Sequence, residues 1–65
     1  MTNAQYRKLL ADLGLNAQEA GRVLGVSRRQ AQRYATNDAI PAPVAKLMRL
    51  MAMYKIDPEH VLELN

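Results

Sequence analysis

The sequence predicts an all-α fold, a compact bundle of five short helices forming one domain over residues 1–65. Alanine, leucine, methionine, glutamine and arginine dominate, and no run of β-branched residues alternates as a strand would. One helix-start signal recurs at Thr2 with Gln5, Asn16 with Glu19, and Ser27 with Gln30. Each is a capping-box spacing, in which the first side chain accepts from the backbone donor three residues on and the Gln or Glu reaches back. Proline is confined to Pro41, Pro43 and Pro58, at the boundaries of later elements.

The first helix is expected over about 3–13, with Tyr6, Leu9, Leu10 and Leu13 on one face at the i, i+3, i+4, i+7 spacing. Gly14 then Leu15 stops it, a glycine able to take positive φ followed by an apolar residue that folds back. The second runs over about 17–24, buries Ala20, Val23 and Leu24, and ends in the same way at Gly25 and Val26. A third starts at about residue 28 and reaches about 36 before Asn37, which tolerates a left-handed backbone. Pro43 suits the first turn of a fourth helix over about 43–55. On it Val44, Leu47, Met48, Met51 and Tyr54 form the core stripe, while Leu50 and Met53 lie off its edge. Asp57 caps a short fifth helix from about Pro58 to Leu64. Either this fifth helix, through Val61, Leu62 and Leu64, covers Leu50 and Met53, or a second subunit does.

A chain of 65 residues buries only roughly 60% of its unfolded surface, leaving no room for a catalytic cleft. It has no cysteine and one histidine, His60, so disulfides, thiolate chemistry, zinc fingers and metal clusters lack their ligands. The acids are scattered without a paired geometry. No enzyme activity, metal, cofactor or small-molecule ligand is expected. The longest apolar run, Leu47 to Tyr54, is broken by Arg49 and falls far short of the roughly 20 residues of a membrane span. With no signal pattern at the N-terminus, the expected location is cytoplasmic and nucleoid-associated.

The net charge of +3 is unevenly placed. Between Ala20 and Asn37 stand Arg22, Arg28, Arg29 and Arg33 and no acid, whereas Asp57, Glu59 and Glu63 crowd the C-terminal segment. That asymmetry points to an anionic partner for one side of the fold. The stretch GVSRRQAQRYATN concentrates the effect. On its helix Ala31, Tyr34 and Ala35 share the side that must dock on the core, so Arg29, Gln32, Arg33 and Thr36 face away, with Arg28 at the flank. The bland reading is a solvated face. Against it stands the preceding turn of about three residues, which pushes the second of two short helices out of the body. Arginine's fork matches guanine O6 and N7, and glutamine matches adenine N6 and N7. Free donors at the helix starts, near Ala17, Gln18 and Arg28, favour phosphate oxygens.

The segment LGLNAQEAGRVLGVSRRQAQRYATN, Leu13 to Asn37, resembles the helix-turn-helix of the phage repressor and Cro (Xre-type) family, and the helix spacing extends the likeness over nearly the whole chain. Its marks are Gly21 four before Gly25, Val26-Ser27 after that glycine, and the aromatic Tyr34. The IPAPVAKLMRL segment is similar to small helix-turn-helix proteins of bacteria and their phages. The resemblance implies a lambda-repressor-like domain that binds double-stranded DNA sequence-specifically. It further implies a transcriptional regulator, most simply a repressor, working as a homodimer on a palindromic operator with the third helix in the major groove. Base contacts would fall on Arg28, Arg29, Gln32 and Arg33, and phosphate contacts on Asn16, Ala17, Gln18, Arg22, Ser27 and Thr36. Leu50, Met53, Val61 and Leu64 would form the dimer interface. The chain departs from the family at Ala17, where a glutamine is usual. It departs again at Leu10 and Ala35, where some relatives pair an arginine with an acid. The rival reading is a protein-interaction adaptor or antitoxin-like module that uses the fourth and fifth helices.

Overall fold

The computed structural model describes residues 1–64, among which five helices and no strand occur: α1 (Asn3–Leu13), α2 (Ala17–Leu24), α3 (Arg28–Thr36), α4 (Ala42–Met53) and α5 (Pro58–Leu62). The first two boxes form in full. Thr2 and Asn16 each accept from the amide three residues on and are bonded in return by Gln5 and Glu19. Gly14 and Gly25 close their helices at φ of 70° and 74°. Leu15 and Val26 then donate back to the carbonyls of Leu10 and Gly21 at 2.9 Å, the overhand closure that satisfies helix-end carbonyls.

The core is built from Tyr6, Tyr34 and Met48, one each from α1, α3 and α4, with Leu9, Leu10, Leu24, Val26, Ala35 and Val44 packed around them. Tyr6 and Tyr34 meet edge to face at 5.8 Å between centroids and 75° between planes. Such a contact contributes about 0.5–1.5 kcal/mol beyond the area it buries. Tyr6 is wholly buried, and its hydroxyl donates to the Ala31 carbonyl at 2.9 Å. Burial, and secondarily Tyr34 beside it, pushes its phenol above the ordinary 10.0. Leu10 and Ala35 both join this apolar packing.

Several expectations need correction. The third box forms by half: Ser27 caps the Gln30 amide, but the Gln30 side chain turns to the Asp38 carboxylate at 3.1 Å. Asn37 is not left-handed but lies at φ −142°, and it and Asp38 both donate to the Arg33 carbonyl. Side chains of α1 donate to the Tyr34 and Ala35 carbonyls at this end of α3, in place of a left-handed closure. Helix α4 begins one residue early, at Ala42, and stops at Met53. There Lys55 takes φ 52° and Ile56 donates back to Met51 at 2.9 Å. The buried line of α4 is Ala45, Met48 and Met51, rotated from the expected stripe toward the Ala45 side. Val44 and Leu47 are half-buried, and Tyr54, beyond the helix end, is exposed. Helix α5 stops at Leu62 and packs against α2, so Leu50 and Met53 remain 49% and 70% exposed instead of covered. Among the described residues no helix is long and apolar enough to cross a membrane.

Candidate nucleic-acid interface

Helices α2 and α3 are the most extensively packed pair, and Gly21 is the reason they close so tightly. A Cβ at that position would lie 2.9 Å from the Val26 carbonyl oxygen and 3.3 Å from the Arg28 nitrogen. The turn from Gly25 to Ser27 therefore rests directly on the α2 backbone. Ser27 takes extended geometry and caps α3 through its hydroxyl, which accepts from the Gln30 amide at 3.0 Å.

On α3 the division of faces is complete. Arg28, Arg29, Gln32, Arg33 and Thr36 are exposed, whereas Gln30, Ala31, Tyr34 and Ala35 are buried or half-buried. At about 100° per residue the exposed set spans an arc of about 140°, and the covered set fills the opposite side. Among the described residues, the side-chain hydrogen bonds on α3 are made by Ser27, Gln30 and Thr36, and none by the three guanidinium groups. Those groups are neither folded inward nor committed to a neighbour. With no acid in its first turn, the positive end of α3 adds to the arginines there.

The inner side of α3 is held by α1. The Asn3 amide donates to the carbonyls of Tyr34 and Asp38, both at 2.8 Å, and the Arg7 guanidinium donates to the Ala35 carbonyl. Arg7 thus brings positive charge to the negative end of α3. The Arg7 guanidinium meets a backbone oxygen of α3 beside the Leu10 and Ala35 packing. Neither Asn3 nor Arg7 was among the expected site residues. Their signal was present: Asn3 continues the stripe of Tyr6 and Leu10 as its one polar member, and Arg7 follows one turn on.

The expected phosphate contacts are unequal in setting. Asn16 is exposed, but its side-chain oxygen caps Glu19 at 2.8 Å, and the Glu19 carboxylate returns to the Asn16 amide at 3.1 Å. An anion approaching the Ala17 and Gln18 amides therefore meets a fixed carboxylate. Ala17 is half-buried and Gln18 exposed. Arg22 is exposed in the last turn of α2, where a cation also suits the helix dipole. The Thr36 hydroxyl turns back to the Arg33 carbonyl at 3.1 Å.

Elsewhere, the expected interface residues Leu50, Met53 and Leu64 are exposed and Val61 is half-buried. An open surface groove of about 470 Å³ is lined by Asp12, Leu13, Met51, Ile56, Asp57 and Pro58. Among the described residues no three His, Asp or Glu side chains gather as a metal ion would need. Compared with known proteins, the chain matches no family model, no curated protein and no solved structure.

Proposed function

We propose that the protein is a sequence-specific double-stranded DNA-binding regulator of the phage repressor and Cro type, acting as a repressor with α3 in the major groove. The observation that carries this reading is the two-sided nature of α3: one side locked to the core, the other bearing three unpaired guanidinium groups and a carboxamide. A major groove about 12 Å wide admits one helix, and Arg28, Arg29, Gln32 and Arg33 are the residues whose donors match base edges there. Arg22, Ser27, Gln18 and the first amides of α3 supply the phosphate contacts that set register. Because of Glu19, the N-terminus of α2 contributes less to them than that of α3.

A single copy, 28 Å in its longest extent, spans less than one DNA turn of about 34 Å and reads only one groove segment. Two copies on a palindrome supply the missing specificity. Exposed Leu50, Met53 and Leu64 support a homodimer through the ends of α4 and α5. The same exposed apolar residues of α4 and the C-terminal segment, with Tyr54 and Leu62, favour a second reading in which the domain is an adaptor or antitoxin-like module bound to another protein.

Selection of duplexes from a random pool separates the two. The regulator reading expects convergence on a palindromic sequence whose affinity falls steeply with salt. Failure to enrich any sequence, together with weak binding to all duplexes, favours the adaptor.

A further inference from the structure

Asn3 commits both hydrogens of its side-chain amide to main-chain oxygens 2.8 Å away, those of Tyr34 and Asp38. The first is an end carbonyl of α3. In a longer helix it would receive the Asp38 amide, but that amide donates to Arg33 at 3.0 Å instead, and Asn3 replaces the missing donor. The second belongs to the residue whose carboxylate accepts from Gln30 in the first turn of α3, at 3.1 Å. One amide on α1 therefore fastens the last turn of α3 directly and its first turn through Asp38. Arg7 adds a further donor, but from an exposed position, whereas the Asn3 bonds are part-buried and less open to competition from water.

We propose that Asn3 is a positioning residue for base reading: it fixes the orientation in which α3 presents Arg28, Arg29, Gln32 and Arg33, and so governs discrimination between sequences. This rests on the DNA-binding reading above. Bidentate matches to base edges are directional and fail with small displacements, whereas long arginines follow phosphates through a change of angle. Loss of Asn3 thus harms specificity and spares general affinity.

The test compares the wild-type chain with Asn3→Asp, which keeps the shape but has no donor, with Asn3→Ala, and with Val44→Ala, which loosens the core from α4 outside this frame. Dissociation constants are measured for the selected duplex and a scrambled one at one salt concentration. Amide hydrogen exchange across α3 is followed in the free protein. Both Asn3 variants should lose about tenfold or more in the specific-to-scrambled ratio, with scrambled binding within about twofold of wild type and an unchanged salt slope. Their α3 amides should exchange about tenfold faster or more, while Val44→Ala keeps the ratio. Asn3→Ser, a milder change, extends the comparison if the others fold poorly, and should fall between them and wild type. Folded Asn3 variants that retain the wild-type ratio, or an equal loss in Val44→Ala at matched stability, overturn the positioning role and leave DNA reading intact. A wild-type chain with equal affinity for selected and scrambled duplexes overturns both.

Discussion

The Val26 carbonyl oxygen sits where a Cβ on Gly21 would come within 2.9 Å of it, so the backbone of the turn and the backbone of α2 are in direct contact. This closeness sets the relation of α2 to α3, and no flexible side chain is available to yield. Gly21→Ala should therefore lower unfolding free energy by about 1–3 kcal/mol despite alanine's better helix propensity. It should also weaken duplex binding at temperatures where the variant is still folded. A variant with unchanged denaturant midpoint would show that the turn relaxes freely.

The arginines of α3 and α2 differ in what they can reach. Arg29→Ala and Arg33→Ala should each cost about 1–3 kcal/mol on the selected duplex and change base preference, while Arg22→Ala should weaken binding evenly across sequences and reduce the salt slope by about one. Titrations of each variant against selected and random duplexes check this. Equal effects of all three on both duplexes would contradict the base-reading assignment.

Buried Tyr6 predicts how stability responds to alkali. Its phenol is raised above 10.0 in the folded state by burial first and Tyr34 second. The folded chain thus holds this proton more tightly than the unfolded chain. The resulting stabilisation is complete below the unfolded value of 10.0 and is lost as pH rises through the folded pKa. Tyr6→Phe should lose about 0.5–1.5 kcal/mol at neutral pH with the bond to Ala31, and should lose less than wild type on going from pH about 9 to about 11. Parallel declines in urea melts would contradict this account of Tyr6.

Lys55 holds φ 52° without being glycine. That conformation costs a side-chain-bearing residue roughly 1–2 kcal/mol, partly offset in any glycine variant by the freer unfolded chain. Lys55→Gly should raise stability by about 0.5–1 kcal/mol, read as a higher thermal midpoint. A lower midpoint would mean that the Lys55 side chain contributes contacts of its own.

Exposed Leu50 and Met53 predict association. Sedimentation should show a concentration-dependent dimer for the wild-type chain and a monomer for the Leu50→Glu, Met53→Glu double variant. A chain that stays monomeric at high concentration and binds its operator one copy at a time contradicts the dimer.

The first three helices were legible almost to the residue because their ends are fixed locally, by a capping side chain at one end and, for α1 and α2, a glycine at the other. The outward face of α3 was legible for a related reason: Ala31 and Tyr34 are the residues that can pack, so the arginines had to turn away. What escaped was decided by partners distant in sequence. Gln30 left its box because Asp38 lay within reach, and Asn37 took no left-handed turn where Asn3 and Arg7 supplied donors from α1. The end of α4 and the seat of α5 on α2 depended on which neighbour lay closest, and a stripe of apolar residues does not encode that.

The most direct measurement of whether the α3 arginines read bases is methylation interference on the selected duplex. Methylation of guanine N7 lies in the major groove, where an arginine fork would bond, and methylation of adenine N3 lies in the minor groove. The account predicts that N7 methylation at guanines within each half-site abolishes binding and that Arg29→Ala or Arg33→Ala removes the interference at one guanine each. Binding that is indifferent to N7 methylation, or blocked only by methylation at adenine N3, would contradict it.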